Sequence, residues 1–367
     1  MQPSPETPPA PGAGVALSVV INNYNYARYL PETIGSVLAQ GEEVAEILVV
    51  DDCSTDNSRD VIDEFAQRFP GRVRGVYQPV NSGQGAAFNA GHAAARGDMV
   101  MFLDADDFML PGAAAKIRAN YEPEVTLYHY RMRYTDETSK LGDGVFPPLS
   151  ERLADGLEAS EKLRSVGRYP STITSGLVFN RWVLDRMMPV DAEAFRYGGD
   201  GYVVAAGPLY GPVRSFETET CAYRLHGGQH TSRRAAQAKL ARWRIDHDHQ
   251  RYRVIREHSA RLGLPVAVDL GTRDDGHLFE RIVSLVFEPE AHPIEGDTLG
   301  RLIRDIKPLE AANRRGLRRA FSGVFWTAMQ VAPRPLKLQL MRLRLDPNSR
   351  PAWVRKLART VRRRFRV

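Results

Sequence analysis

Residues 15–23 read VALSVVINN, residues 46–52 EILVVDD and residues 99–107 MVMFLDADD. Each opens as a short apolar run rich in β-branched residues and closes in amides or carboxylates. Runs of this length, bounded by polar turn residues, predict buried strands over Val15–Ile21, Ile47–Val50 and Met99–Leu103, with a further strand at Val73–Tyr77. The intervening segments carry helical periodicity. Ile34, Val37 and Leu38 share a face between Leu30 and Gln40, and Val61, Ile62, Phe65 and Phe69 share another after the cap-type residues Ser54–Asn57. An alanine-rich helix is expected over Gly85–Arg96. Strands alternating with helices imply a parallel, doubly wound sheet. In such a sheet the carboxyl ends of the strands line one crevice, where ligands bind. That places Asn22, Asn23, Asp51, Asp52, Asp104, Asp106 and Asp107 along one edge. Like charges so close are unfavourable unless a cation neutralises them, and oxygen donors favour Mg2+ or Mn2+, ions that commonly also hold phosphates. As single residues these acids are equally well explained as caps and turn residues; three clusters in register point to a metal–diphosphate site.

The remaining sequence narrows the class. The chain has 367 residues, of which 43% are hydrophobic and 26% charged, enough for substantial cores and unlike a disordered protein. Two distant cysteines, Cys53 and Cys221, exclude a disulfide scaffold or a cysteine-rich zinc module and fit a reducing compartment. The net charge of +6 is unevenly placed: residues 331–367 hold twelve Lys/Arg and one acid, Asp346, so the rest of the chain is acidic. An acidic body with a basic end argues against nucleic acid as partner. Residues 1–14, with five prolines and no basic residue, read as a disordered leader. No apolar run approaches the length of a membrane span.

The stretch SVVINNYNYARYLPETIGSVLAQ, followed by EILVVDDCSTDNS and NSGQGAAFNAGHAAARGDMVMFLDADDFMLP, resembles the nucleotide-binding half of family 2 glycosyltransferases, of the GT-A fold. The resemblance runs from about residue 16 to 112 and more weakly to about 232. It implies an α/β chain: a GT-A type doubly wound, mostly parallel sheet over residues 15–234, with a Rossmann-like nucleotide half at 15–112 and an acceptor half at 113–234. A helical, basic C-terminal region at 235–367 follows. By position, the resemblance sets Asn22 and Tyr24 against the nucleotide base. Asp52 faces a uracil-like N3–H, and Asp51 supports it or buttresses the turn. Asn81, Gly83 and Asn89 border the ribose and diphosphate. Asp104 contacts the ribose or a metal-bound water, and Asp106 ligates the metal. Two departures stand out: Phe88 occupies a place where the family often has Arg, and Cys53 one where it often has Gly.

Glycosyl transfer with inversion requires one general base for the acceptor hydroxyl. The family usually carries a Glu-Asp pair before a helix; here RYGGDGYVV offers Gly199-Asp200, so Asp200 is the candidate base, with Asp191 as second choice and helix capping as the alternative role. The segment CAYRLHGGQHTS resembles the family block that folds over the diphosphate. It makes His226 a candidate metal or phosphate ligand, His230 a weaker one, and Arg224 a residue that shapes the loop. Ser175 and Gly176 permit close approach on the acceptor side, or belong to an ordinary strand. Gly142–Ser150 reads as a loop, and DHDHQ at 246–250 as a solvated helix face. Apolar residues interleaved with Arg and Lys near the C-terminus fit an anionic membrane surface, a packed helix or another polyanion.

The expected activity is metal-dependent, inverting transfer from a nucleotide-diphosphate sugar, a UDP-sugar before others, to a hydroxyl of a glycan or lipid-linked cell-envelope acceptor. The expected location is the cytoplasm, with peripheral attachment at the inner face of the cell membrane. Two alternatives stay open: a sugar-nucleotide pyrophosphorylase, which usually has a Gly-rich loop where NNYNYA stands, and a non-catalytic nucleotide-sugar-binding or scaffold protein. A dinucleotide-dependent dehydrogenase is disfavoured by the lack of G-x-G-x-x-G after the first strand.

Overall fold

A computed structural model describes residues 14–226, 237–313 and 316–346. The chain divides into two compact units, residues 1–228 with 250–266 and residues 229–249 with 267–367.

The first unit opens with four parallel strands, β1 Leu17–Asn23, β2 Glu46–Asp51, β3 Val73–Tyr77 and β4 Met99–Asp104. They stand in the order β3-β2-β1-β4. Helices α1 Leu30–Leu38, α2 Ser58–Arg68 and α3 Gln84–Ala94 connect them, as the periodicity predicts. The strand order, not the strand direction, reverses between β1 and β4, the kind of switch point at which a crevice opens. The sheet's interior is formed by side chains with no exposure, among them Val19, Ile21, Ile47, Val49, Met101 and Leu103. Both faces of β1, β2 and β4 are covered, which is why they read as apolar runs rather than alternating ones.

The sheet continues with β5 Phe108–Met109, β6 Leu127–Thr135, β7 Leu141–Phe146, β8 Leu177–Asn180 and β9 Val213–Arg224. Here β8 runs antiparallel to β4 and β6, while β9 runs parallel to β6 and antiparallel to β5. The short helices α4 Ala113–Ala119, α5 Glu158–Val166, α6 Arg181–Met187 and α7 Asp200–Ala206 interrupt these strands. Residues 142–146, expected as a loop, lie in β7 instead, paired with β6 through Met132–Phe146 and Thr135–Leu141. The glycines there concealed an edge strand that a partner supplies with hydrogen bonds.

Phe88 explains its own departure. It is fully buried in α3, stacked on Phe102 of β4 with ring centroids 4.2 Å apart, and Phe102 in turn meets Phe179 of β8. A guanidinium at this position would be buried without a partner.

Helix α8, Gln237–Arg261, runs through both units. Its C-terminal part belongs to the first, where His258 is hydrogen-bonded to the hydroxyls of Tyr202 (3.1 Å) and Tyr210 (2.7 Å). In the second unit, α9 Asp275–Phe287, α10 Leu299–Asn313, α11 Gly316–Val331 and α12 Arg334–Leu345 pack around Leu278, Ile282, Leu302, Ile306, Trp326 and Met341. Asp274 caps α9 by accepting from the backbone N–H groups of Gly276 and His277. Glu310 is buried and accepts from Trp326 Nε1 (2.9 Å), Ser322 and Arg344. Asp248, expected on a solvated face, is buried and paired with His277 at 3.1 Å. The helix face was misjudged because α9 covers it.

Candidate active site

The strand register sets the site. Asn22 lies opposite Asp104 across β1–β4, and Asn23 opposite Asp51 across β1–β2. Successive strand residues point to opposite sides, so the two asparagines separate into different tasks. Asn23 donates to Asp51 Oδ1 (2.8 Å) and Ser54 Oγ (3.1 Å), and Asp51 also accepts from the Ser54 backbone N–H. Asn25, at φ 60°, accepts from the Thr55 N–H at 2.7 Å. Asn23, Asn25 and Asp51 therefore stitch the loop after β1 to the loop after β2. Asn22 is different: both polar atoms of its amide are buried and bonded to no described residue. A buried amide without partners is costly to keep, and this one stands beside Asp104. Tyr24 is exposed at the rim.

Asp52 is turned under the next loop. It accepts from Gln78 Nε2 (3.0 Å) and from the N–H groups of Ser82 (2.8 Å) and Gly83 (2.7 Å), and Asn81 Nδ2 donates to its carbonyl. Burial pushes its carboxyl above the usual range, against the pull of those two N–H groups. Gly83, at φ +88°, has no room for a Cβ: one would lie 2.3 Å from the Arg196 carbonyl oxygen. Arg196 closes this corner by donating to the carbonyl and side chain of Asn81.

The acids of FLDADD crowd together. Burial, and then the charges of Asp106 and Asp200, push the Asp104 carboxyl well above the ordinary range. Burial, Asp106 and Asp104 do the same to Asp107. Asp106 Oδ2 meets His226 Nε2 at 2.8 Å. Around them, Arg224 is fully buried. Its Nε donates to the Asp106 carbonyl (2.7 Å), its backbone N–H to Asp107 Oδ1 (3.0 Å), and its guanidinium to Glu32 and Ser139. Arg224 thus fixes the turn that carries Asp106. Tyr26 packs edge-on to His226 with centroids 5.8 Å apart, and burial beside Asp106 and Asp104 holds its phenol protonated.

Asp200 is the first residue of α7, with Gly199 at the cap. Its Oδ1 accepts from the Gly201 N–H at 3.0 Å, and burial raises its carboxyl while that bond and Arg251 oppose the rise. Gln84 joins it to the other acids. The Gln84 side chain accepts from the Gly199 N–H (2.8 Å) and donates to Asp104 Oδ1 (3.2 Å). A Cβ at Gly199 would lie 3.1 Å from the Gly85 nitrogen, so a glutamate there would have to press into the start of α3.

The structure brings Asn22, Asp104, Asp106, His226 and Asp200 to one crevice. Asp51 is spent on the turn, and Asn89 is a correction: its amide is used in both directions on the Val190 backbone, at 2.9 and 2.7 Å, because the acceptor-half segment 189–199 is laid along α3. Ser175, read only as small, accepts from the Asp104 N–H at 3.1 Å. Asp191 accepts from the Ala194 N–H in its own turn. His230 lies outside the described residues. Gln84 and Tyr26 were missed; the signal available for Gln84 was its place directly after the NSG turn. Among the described residues no three of His, Cys, Asp and Glu converge on a metal-sized point. The donor chemistry nevertheless suits a hard divalent ion: three crowded carboxylates, two of them forced toward the neutral form, lack positive charge.

Residues 18–144 match the model of Glycosyl transferase family 2. That stretch resembles a family 2 glycosyltransferase domain. A relative named an uncharacterized glycosyltransferase, from Nostoc sp., is 39% identical over 215 residues. That match covers 58% of this chain and 65% of the relative, so the chain spans less than two thirds of its length. Staphylococcus aureus TarS residues 1–349, solved in complex with UDP-GlcNAc, shares the fold with a TM-score of 0.50 at 15% identity, over 86% of this chain and 91% of that one. The mannosyltransferase PcManGT from Pyrobaculum calidifontis, solved with GDP-Man and Mn2+, does so with a TM-score of 0.51 at 15% identity, over 92% and 87%. The matched stretch holds the asparagines that end β1 and the acids that end β2 and β4, and the fold shared with these structures is the GT-A fold expected from the sequence.

Proposed function

We propose that this chain is an inverting glycosyltransferase that moves a sugar from a nucleotide-diphosphate sugar, a UDP-sugar before others, to a hydroxyl of a glycan or lipid-linked acceptor. The observation that carries the reading is the convergence of Asp104 with Asp106 on one side and Asp200 on the other, bridged by Gln84. Asn22 and Tyr24 form the base end of the donor site, Asn81 and Gly83, in the loop that the Asp52 carboxylate holds, its ribose and diphosphate border, and Asp104 its inner wall. Asp106 and His226 would hold Mn2+ or Mg2+, with the remaining positions left to phosphate and water oxygens. When bound, the ion offsets charge on the departing diphosphate. Asp200 accepts the proton of the acceptor hydroxyl as that oxygen bonds the anomeric carbon and the diphosphate leaves with the electron pair of the bond it breaks. Burial suits Asp200 to the task, because a carboxylate raised toward neutral pH is a stronger base. Arg224 and Gln84 position these groups. An anionic membrane surface, met through the basic C-terminal region, is the expected place of work.

The test is donor turnover by purified protein with UDP-, GDP-, CDP- and dTDP-sugars and Mn2+, alongside Asp106→Ala. Activity lost in the variant and in EDTA supports the reading; full turnover in EDTA overturns metal dependence, and binding without turnover of any donor overturns the transferase.

A further inference from the structure

Helix α11 has two faces. Ser322, Trp326 and Met329 point into the core of the second unit, while Phe321, Val324 and Val331 are 64%, 69% and 80% exposed. With Ala328, these residues fall at i, i+3, i+7 and i+10, one stripe along the helix. No charged residue occurs from Ala320 through Ala332. A run of exposed large apolar side chains on one helix face marks an interaction surface.

The charge around the stripe selects its partner. Arg318 and Arg319 precede it, Arg334 and Lys337 follow it, and the first three are exposed without an ion pair among the described residues. The 21 residues after Asp346 add eight Arg/Lys and no acid. A second copy of the same face would set these bases against their own kind. A bilayer with anionic headgroups meets both features, taking the apolar side chains at the acyl boundary and the bases among the phosphates.

We propose that the outer face of α11, through Phe321, Val324 and Val331, is the docking face by which this chain lies on an anionic lipid bilayer. The proposal rests on the reading that the enzyme works at a membrane and locates the contact on α11 rather than in the basic tail alone. No helix among the described residues is long and apolar enough to cross a membrane, so the contact is with the surface.

The experiment is co-sedimentation of the full chain with phosphatidylcholine vesicles, with and without phosphatidylglycerol. The variants are Phe321→Glu/Val324→Glu/Val331→Glu and a chain ending at Asp346. The triple variant is expected to lose at least about tenfold in binding to anionic vesicles while keeping its circular dichroism and donor turnover. Triple-variant binding equal to wild type, with loss only in the truncated chain, overturns the α11 contact and leaves the membrane reading standing. Wild type that ignores anionic vesicles overturns both. A triple variant that instead converts a dimer to a monomer assigns the stripe to self-association and overturns the proposal. As a second readout, Val324→Cys in a Cys53→Ser background, labelled with an environment-sensitive dye, is expected to shift to the blue on bound vesicles; an unshifted spectrum on vesicle-bound protein also overturns it.

Discussion

At the residue scale, Asp200 and its neighbour Gln84 carry separable predictions. Asp200→Asn keeps the shape of the start of α7 and removes the proposed base. It is expected to lower kcat by about 10²- to 10⁴-fold with donor affinity, read by calorimetry, unchanged. Because burial raises the Asp200 carboxyl, the acid limb of the wild-type kcat profile should lie above the pH of an ordinary carboxylate. The sign follows from the role: the base works deprotonated, so rate falls as pH drops through the raised value, and that limb should vanish in the asparagine variant. Gln84→Ala removes a bond to Asp104 and one to Gly199 together. It is expected to lower kcat, with Gln84→Glu worse, since a fourth acid would join Asp104, Asp106 and Asp200. These acids were visible in the sequence because carboxylates at strand ends have few purposes. Which of two adjacent asparagines keeps an unbonded amide beside Asp104 was not visible. Asn22 and Asn23 differ only by the alternation of a strand whose exact end the sequence left two residues short, at Ile21 instead of Asn23.

At the element scale, the start of α3 is the constrained point. Gly83→Ala puts a Cβ at positive φ and against the Arg196 carbonyl, and is expected to cost about 1–3 kcal/mol, read by chemical denaturation. Arg224 ties β9 to the turn after β4. Its replacement by methionine takes a donor from the Asp106 carbonyl and from Glu32, which keeps Ser139, and is expected to cost about 1–3 kcal/mol, a loss measurable as reduced thermal stability. The alternating β and α elements of the nucleotide half were legible because α1 and α2 are amphipathic and the middles of β1, β2 and β4 are apolar. The acceptor half was less so. Its strands take partners far away in sequence, β6 with β9 and β8 with β4, and such pairings leave little local pattern. Gly199 was read as a weakened motif; its reason is the backbone of Gly85 lying against it, which only the packing reveals.

At the scale of the whole molecule, the two cores differ in kind. One is a sheet covered by helices; the other is a helical cluster centred on Trp326, whose indole N–H is bonded to buried Glu310. Trp326→Ala is expected to cost about 3–5 kcal/mol, measured by chemical denaturation, and would also remove one of the donors to the Glu310 carboxylate. The basic end of the sequence announced itself as charge, yet Arg344 is spent inside, paired with Glu310 and set over Phe279, Phe325 and Trp326. Residues 347–367, which carry most of that charge, lie outside the described residues.

The shared helix α8 has a consequence for how the chain is made. The composition shift near residue 235 invites a truncation there, but the first unit draws on residues 250–266, and His258 within them holds the hydroxyls of Tyr202 and Tyr210. During synthesis, the helix that begins at Asp200 gains this support only after the ribosome has released residue 258 and its neighbours. An expression clone stopped at 234 is therefore expected to yield aggregated protein.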